Sequence, residues 1–381
     1  MNNSMRIGIN FQTSDKYISG VEYYSLGLIN GLLRIDKKNE YIVFTNQPEL
    51  IEDGVTEQGK LSVRKTVHLK TRLQRIMWEH FRLPEISKKE GLDVLHCPHY
   101  ICPLCSGGVP YVATVHDTIA IDHPEWCRGS NALYYNIFMK HAVNKAARLI
   151  AVSRSTSEDI KRNFCVNGSK VRTIYPGIDA IFNADQNFLC QSQVKTQYGL
   201  PERYILFVGN TEPKKNISSL IRAYKLLKAK GLPHKLVLAG RRGWKNKKVL
   251  SEISKFSADD VMRIGYVERG DLPFVYQMAD VFVFVSLYEG FGFPPLEAMA
   301  CGVPVVASEC GAPGETIKGA CYIVDASDHE KTAQAIYLMI TDEGLRKKYI
   351  ERGIKASKRF SWDNAAKKTL AIYKEAVESN A

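Results

Sequence analysis

Two glutamates, Glu289 and Glu297, stand eight residues apart in the stretch EGFGFPPLE, with Gly290, Phe291 and Gly292 between them. Carboxylates so spaced can accept hydrogen bonds from adjacent hydroxyls at two points, and such bonds gain strength where water is excluded. That chemistry suits a polyhydroxylated ligand. Glu297 also has a plainer reading, as an acid near a helix start favoured by the dipole, and both readings stand at this point. A helix account asks for no charge at Glu289. Lys214 and Lys215 follow VGNTEP. Two adjacent cations either are solvated or suit a diphosphate that gains negative charge when a bond to it breaks. His116-Asp117 closes the apolar run YVATV. An imidazole there can donate to a hydroxyl or stabilise developing charge, or it is a structural hydrogen-bonding group.

These residues need a scaffold that brings loops together. The run VFVFVS at 281–286 reads as a buried parallel strand, because almost every position is aliphatic or aromatic. After it, Gly290 and Gly292 permit a close turn, Pro294 and Pro295 suit a helix opening, and Gly302 suits a left-handed cap. PVVAS at 304–308 follows as the next strand. Upstream, Arg6–Asn10, 41–45, 93–97, 111–116, 148–153 and 171–176 carry strand patterns, separated by helical segments such as 21–34 and one from Asn131 onward. Ser153 is placed to cap the helix after 148–153, and no G-x-S-x-G elbow supports a nucleophilic serine there. In the second half, 204–209, 235–240, 261–267 and 321–324 read as strands, and Asn216 as the cap of a helix. A helix is also expected around 361–377. Strands alternating with helices predict an α/β fold with mostly parallel, doubly wound sheets. Ligands bind such sheets beyond the carboxyl ends of the strands, where Glu289 belongs. Val267 and Leu272 sit near that edge. They can present a backbone and an apolar surface to a base, or simply close the strand and start the next helix.

EGFGFPPLE followed by AMACGVPVVAS resembles the E-x7-E signature of the retaining, nucleotide-sugar-dependent glycosyltransferases, the large family that includes sucrose synthases and bacterial mannosyltransferases. The resemblance extends over nearly the whole chain and is most specific from Gly265 to Glu309. It implies the GT-B fold, two Rossmann-like doubly wound domains facing a central cleft. The expected divisions are an acceptor domain over 1–180, a connection over 181–201, a donor domain over 202–360, and a final helix over 361–381 returning to the first domain. It further implies a hexose, with mannose preferred, moved from a nucleotide diphosphate sugar to a saccharide or lipid-linked saccharide with retained configuration. Within that scheme His116 and Glu289 contact the reacting sugar, and Glu297 the ribose. Gly20, Lys215, Lys214 and Arg241 or Arg242 hold the diphosphate. Val267 and Leu272 serve the base, and Asp117, Gly290, Phe291 and Gly292 the sugar. Two departures stand out. Asn210 occupies the place of the usual arginine after the strand glycine, and PGID replaces the common NGVD-like passage. GDP-mannose is the favoured donor, with UDP- or ADP-sugars retained, and no cofactor is expected. No DxD triplet occurs, so the charge of the leaving group falls to basic side chains and helix amides rather than a metal.

The whole chain is compatible with this. Its 381 residues support two ordinary domains. With 45% hydrophobic and 24% charged residues it belongs with folded globular proteins, and no apolar run reaches membrane-spanning length. The start shows no secretory pattern, and nine cysteines without a second CxxC read as free thiols of a reduced, cytoplasmic protein. The +12 charge calls for anionic partners. Segment 61–90 is basic, carrying Arg64, Lys65, Lys70, Arg72, Arg75, Arg82, Lys88 and Lys89. Ile76, Met77, Trp78, Phe81 and Leu83 make it amphipathic, which fits either contact with an anionic membrane or a helix packing Trp78 and Phe81 inward. Nucleic acid is not an expected partner, for want of a recognition motif. The competing readings are a nucleotide-sugar epimerase or hydrolase, and a non-catalytic sugar-binding protein.

Overall fold

In the computed structural model, residues 4–13, 18, 20–66, 72–105, 107–127 and 129–379 are described. They form two compact units, one of residues 1–177 and 361–381, the other of residues 178–360. Lys70, named above, lies outside the described residues.

Each unit is built on one parallel sheet. The strands of the first are β1 (Arg6–Phe11), β2 (Glu40–Thr45), β3 (Leu61–Lys65), β4 (Val94–Cys97), β5 (Tyr111–Val115), β6 (Arg148–Ala151) and β7 (Val171–Thr173), in the order β3-β2-β1-β4-β5-β6-β7. The second unit has β8 (Tyr204–Val208), β9 (Lys235–Ala239), β10 (Val261–Gly265), β11 (Val281–Phe284), β12 (Val305–Ser308) and β13 (Tyr322–Val324), ordered β10-β9-β8-β11-β12-β13. Every residue of β5 and β11 is buried, the mark of a strand covered on both faces. In both sheets the chain runs outward from a central strand and then returns beside it. The switch points are therefore β1 against β4 and β8 against β11. Loops leaving the carboxyl ends of such neighbours diverge and open a crevice for a ligand.

The predicted strands are present; those predicted over 111–116, 148–153, 171–176, 204–209, 235–240, 261–267 and 281–286 end one to three residues early, and the others end where predicted or, for the first, one residue later. His116, Ser153 and Pro176 have left the ladder. Ser153 instead accepts the amide of Thr156 at 3.0 Å, the expected cap. Asn216 behaves differently from the cap expected of it. Its φ is +51°, and its side-chain amide donates to the carbonyls of Val285 at 3.1 Å and Ala326 at 2.7 Å. β3 went unpredicted because LSVRK lacks a buried run; it is an edge strand whose Arg64 and Lys65 are exposed, and charge on an edge discourages pairing with other chains.

Gly27 and Gly31 weaken the helix Gly20–Ile35 by about 1 kcal/mol each relative to alanine, and packing explains them. A Cβ at Gly27 would lie 2.1 Å from the Trp362 ring, and one at Gly31 would lie 2.7 Å from the Trp362 carbonyl. Only glycine lets the helix Trp362–Glu378 lie this close.

Candidate functional site

The second unit's switch point is built from loops that hydrogen-bond to one another. After β8, Asn210 accepts the amide of Arg241 at 3.1 Å through its side-chain oxygen, and Thr211 accepts that of Gly243 at 2.9 Å. Asn210 thus ties the loops after β8 and β9 together at the position where the resemblance leads one to expect an arginine. The turn Pro213–Lys215 follows, and Asn216 pins its end to the carboxyl end of β11 through Val285. The Leu287 amide also donates to the Lys214 carbonyl at 2.7 Å.

Between these loops Lys215 meets Glu289. Lys215 Nζ lies 2.7 Å from Glu289 Oε1, and Lys214 Nζ lies 4.0 Å from Oε2, with the Lys215 and Glu289 side chains only 12% and 9% exposed. Burial works to raise the Glu289 carboxyl, but the two ammonium groups, with a smaller contribution from the Ser286 side chain, more than offset it and hold Glu289 below the ordinary carboxylate range. Lys215 also sits 4.9 Å from the centre of the Phe284 ring, a cation over an aromatic face. Burial raises the carboxyl of neighbouring Glu212, against the pull of both lysines. The backbone of Glu289 is fixed in turn. Its carbonyl accepts the Ala312 amide at 2.9 Å, and Gly311, at φ +76°, passes so close that a Cβ there would lie 2.4 Å from that carbonyl oxygen.

Glu297 does not fit the dipole reading. It is the fifth residue of the helix Phe293–Ala300, beyond the first turn, and is 4% exposed. Arg269 donates to its Oε1 at 2.9 Å and the Tyr276 hydroxyl to its Oε2 at 3.1 Å. Arg269 is itself held 4.6 Å above the Phe182 ring and 3.7 Å from Asp179. Burial and the nearby Glu297 carboxylate push the Tyr276 phenol well up, so it stays a donor. A carboxylate has about four acceptor sites, which leaves capacity for further hydroxyls. Sequence reasoning missed Arg269 and Tyr276; the charged turn ERGD just after Val267 was the available signal.

The other candidates are placed as follows. Gly292 has φ +87° and immediately precedes the helix. Phe291 is buried, with its ring 4.9 Å from Phe293 and 5.5 Å from Phe360; that leaves its backbone, not its ring, for a ligand. Val267 and Leu272 are buried at the edge following β10. Arg242 lines a groove of about 790 Å³ with Tyr198, Met262 and Arg263, whose walls include neither Lys215 nor Glu289.

In the first unit His116 lies at the end of β5, where its Nε2 is 2.8 Å from the Pro98 carbonyl beyond β4. A carbonyl only accepts, so Nε2 carries the proton. Burial lowers the His116 pKa, keeping the ring neutral at neutral pH and leaving Nδ1 as an acceptor. The expected donation from His116 to a hydroxyl is thereby reversed: the N–H is committed to Pro98, and Nδ1 can accept. The ring is held edge-on by Tyr24, 4.9 Å away. Tyr24 is bonded to Thr114 at 3.2 Å, Thr114 to His96 at 2.9 Å, and His96 to Tyr373 at 2.7 Å. This chain anchors the His116 ring to the last helix and was not legible in the sequence. Asp117 accepts the Ile119 amide at 3.2 Å. Gly20 opens its helix in an exposed position where a Cβ would meet nothing within 4 Å, so the protein's own packing does not explain a glycine there.

Segment 61–90 divides its aromatic residues. Trp78 is buried, whereas Phe81 is 56% exposed and forms a stripe with Leu73 and Met77. Among the described residues no group of three or more His, Cys, Asp or Glu side chains could hold a metal ion. No helix among them is long and apolar enough to cross a membrane.

Two family models match the chain, "Glycosyltransferase Family 4" over residues 18–181 and "Glycosyl transferases group 1" over residues 192–356. The O-antigen chain mannosyltransferase B of Escherichia coli is 30% identical over 369 residues, covering 94% of this chain and 96% of that protein. Anabaena Alr3699/HepE, solved in complex with UDP and glucose, superposes with a TM-score of 0.75 at 18% identity over 97% of this chain and 99% of its own. WaaG, described as a glycosyltransferase involved in lipopolysaccharide biosynthesis, superposes with a TM-score of 0.73 at 15% identity over 96% and 99%. At those identities the structural likeness establishes the fold alone.

Proposed function

Because the chain belongs to the group 1 and family 4 glycosyltransferases, whose GT-B fold it shares, we propose that the Lys215–Glu289 pair marks where it holds the diphosphate and transferred sugar of its donor. The protein transfers a sugar from a nucleotide diphosphate sugar to a saccharide or lipid-linked acceptor in cell-surface glycan synthesis. The observation that carries the site assignment is the buried pairing of Lys215 with Glu289 at 2.7 Å, at the β8–β11 switch point. In this reading Lys215, with Lys214, neutralises the departing diphosphate, and Glu289 accepts hydrogen bonds from the sugar's hydroxyls. Arg241 is retained as a further phosphate contact and Arg242 as a weaker one, given the groove it lines. Glu297 accepts from the ribose, Val267 and Leu272 border the base, and Gly290, Phe291 and Gly292 line the sugar through their backbone. From the first unit, Gly20 offers close backbone approach to the diphosphate. His116 accepts a sugar hydroxyl at Nδ1, and Asp117 serves the acceptor sugar.

The finer reading is a retaining hexosyltransferase using mannose, with GDP-mannose as the donor. An oxygen of the departing phosphate accepts the proton of the incoming hydroxyl, so neither a protein nucleophile nor a metal ion is required. The test is incubation with GDP-, UDP- and ADP-sugars and a panel of soluble and lipid-linked glycans, with mass and anomeric analysis of products before and after chelation. An acceptor adduct of unchanged anomeric configuration, formed equally after chelation, is the expected product. Free or rearranged sugar without an adduct would instead support the hydrolase or epimerase reading.

The acceptor side of this proposal includes a membrane surface reached from the cytoplasm. Leu73, Met77 and Phe81 are 68%, 51% and 56% exposed on one helical stretch, followed by exposed Arg82 and Lys89, both of which pair with Glu85 at 3.1 Å. Apolar insertion flanked by cations suits anionic lipid. Burying a side chain of this size contributes roughly 1.5–3 kcal/mol. The double variant Met77→Ser, Phe81→Ser is therefore expected to lose at least about tenfold in partitioning onto phosphatidylglycerol vesicles, measured by co-sedimentation. Unchanged partitioning would remove the membrane from the proposal.

A further inference from the structure

We infer that Glu289 sets the preference of the site for the complete donor over the sugarless nucleoside diphosphate, by competing with the diphosphate for Lys215. This rests on the donor-site reading above and adds a second role for the same carboxylate. Glu289 Oε1 sits 2.7 Å from Lys215 Nζ and Oε2 sits 4.0 Å from Lys214 Nζ. The Lys215 ammonium has three N–H donors but a single charge, so a phosphate oxygen that binds it draws the same charge that holds Glu289 and brings a second anion against the carboxylate. One buried Nζ cannot serve both anions at full strength. The Glu289 backbone cannot retreat to make room, because Gly311 packs against its carbonyl and Ala312 donates to it. The carboxylate must swing away at its side-chain bonds and surrender its partner.

The cost of that surrender depends on what replaces the lysine. A buried carboxylate without a partner is strongly disfavoured. A complete nucleotide diphosphate sugar brings hydroxyls that donate to Glu289 and restore its satisfaction as the lysines turn to the phosphates. A nucleoside diphosphate brings the same phosphates and no hydroxyls at that position, so it takes Lys215 and leaves Glu289 stranded. The pair therefore penalises the product relative to the donor. After transfer, as the sugar leaves for the acceptor, Glu289 reclaims Lys215 and favours release of the diphosphate.

The experiment compares GDP with GDP-mannose, and UDP with UDP-glucose in parallel, by calorimetric titration of wild type and Glu289→Gln. The glutamine variant is expected to bind the sugarless diphosphate about tenfold more tightly than wild type and the complete donor no more tightly, so that the donor-to-product affinity ratio collapses. In the Lys215→Met background the Glu289→Gln change is expected to give no gain in diphosphate affinity, because the contested group is absent. Diphosphate affinity that is unchanged or weaker in Glu289→Gln overturns the inference, as does a gain that persists without Lys215. Thermal unfolding accompanies each titration. Should the glutamine variant fail to fold, Glu289→Asp, whose shorter side chain weakens the pair, must show a smaller gain of the same sign, and a loss would overturn the inference. Wild type that binds neither diphosphates nor nucleotide sugars would sink the donor-site reading itself, an outcome distinct from failure of the competition.

Discussion

Lys215→Met lowers kcat/KM for sugar transfer by about a thousandfold while the protein remains folded. The magnitude follows from removing one preorganised charge aimed at a leaving group, where losses of roughly a hundred- to a thousandfold are typical. The upper end applies because Lys215 is nearly buried and stands on the turn that Asn216 ties to the end of β11. Lys214→Met is expected to cost less, since its ammonium lies 4.0 Å from the carboxylate rather than 2.7 Å. Steady-state kinetics on both variants, with thermal unfolding as the control, measure this. A Lys215→Met enzyme within about threefold of wild type would remove Lys215 from the leaving-group site, because that change is only about 0.7 kcal/mol of transition-state stabilisation.

Glu297→Gln separates differently. A hydrogen bond from ribose to a charged carboxylate contributes about 1.5–3 kcal/mol, and a contact remote from the breaking bond is made equally in ground and transition states. The expected result is a donor KM raised between about tenfold and a hundredfold with kcat nearly unchanged. Glutamine keeps one oxygen to accept from Arg269, which bonds Oε1 at 2.9 Å, and its NH2 can donate to the Tyr276 hydroxyl oxygen now 3.1 Å from Oε2, so the helix Phe293–Ala300 should stay in place. A fall in kcat with an unchanged KM would place Glu297 at the reacting sugar instead, and an effect confined to thermal stability would make it a structural acid.

Much of this architecture was legible because parallel strands announce themselves as apolar runs ended by glycine, proline or polar residues. YVATV and VFVFVS are of that kind, and both are buried strands. Lys215 and Glu289 were visible for the same reason, each following such a run. Their contact was not, because it joins residues 74 apart, and no local pattern says that β8 will neighbour β11. β3 escaped because an edge strand carries charge at positions where a central strand cannot.

The segment with Trp78 and Phe81 was ambiguous for a different reason. Residues Trp78–Arg82 form a π-helical turn, with Trp78 buried and Phe81 exposed. A regular 3.6-residue period does not anticipate such a turn. Asn216 looked like a cap because asparagine before an apolar helix is commonly one. Its left-handed backbone instead sends the side chain across to Val285 and Ala326, a long-range bond that positions Lys215. Arg269 and Tyr276 were missed because one charge in a turn and one tyrosine in an apolar helix have no distinguishing spacing. They become meaningful only when the fold brings both to Glu297.

The most direct measurement is a crystal structure of the protein with an intact nucleotide diphosphate sugar. The expected complex has the diphosphate within hydrogen-bonding distance of Lys215 Nζ, the sugar hydroxyls on a Glu289 carboxylate turned away from that lysine, and the ribose on Glu297. A nucleotide sugar bound elsewhere, with the Lys215–Glu289 pair still closed at its present distance, would contradict it.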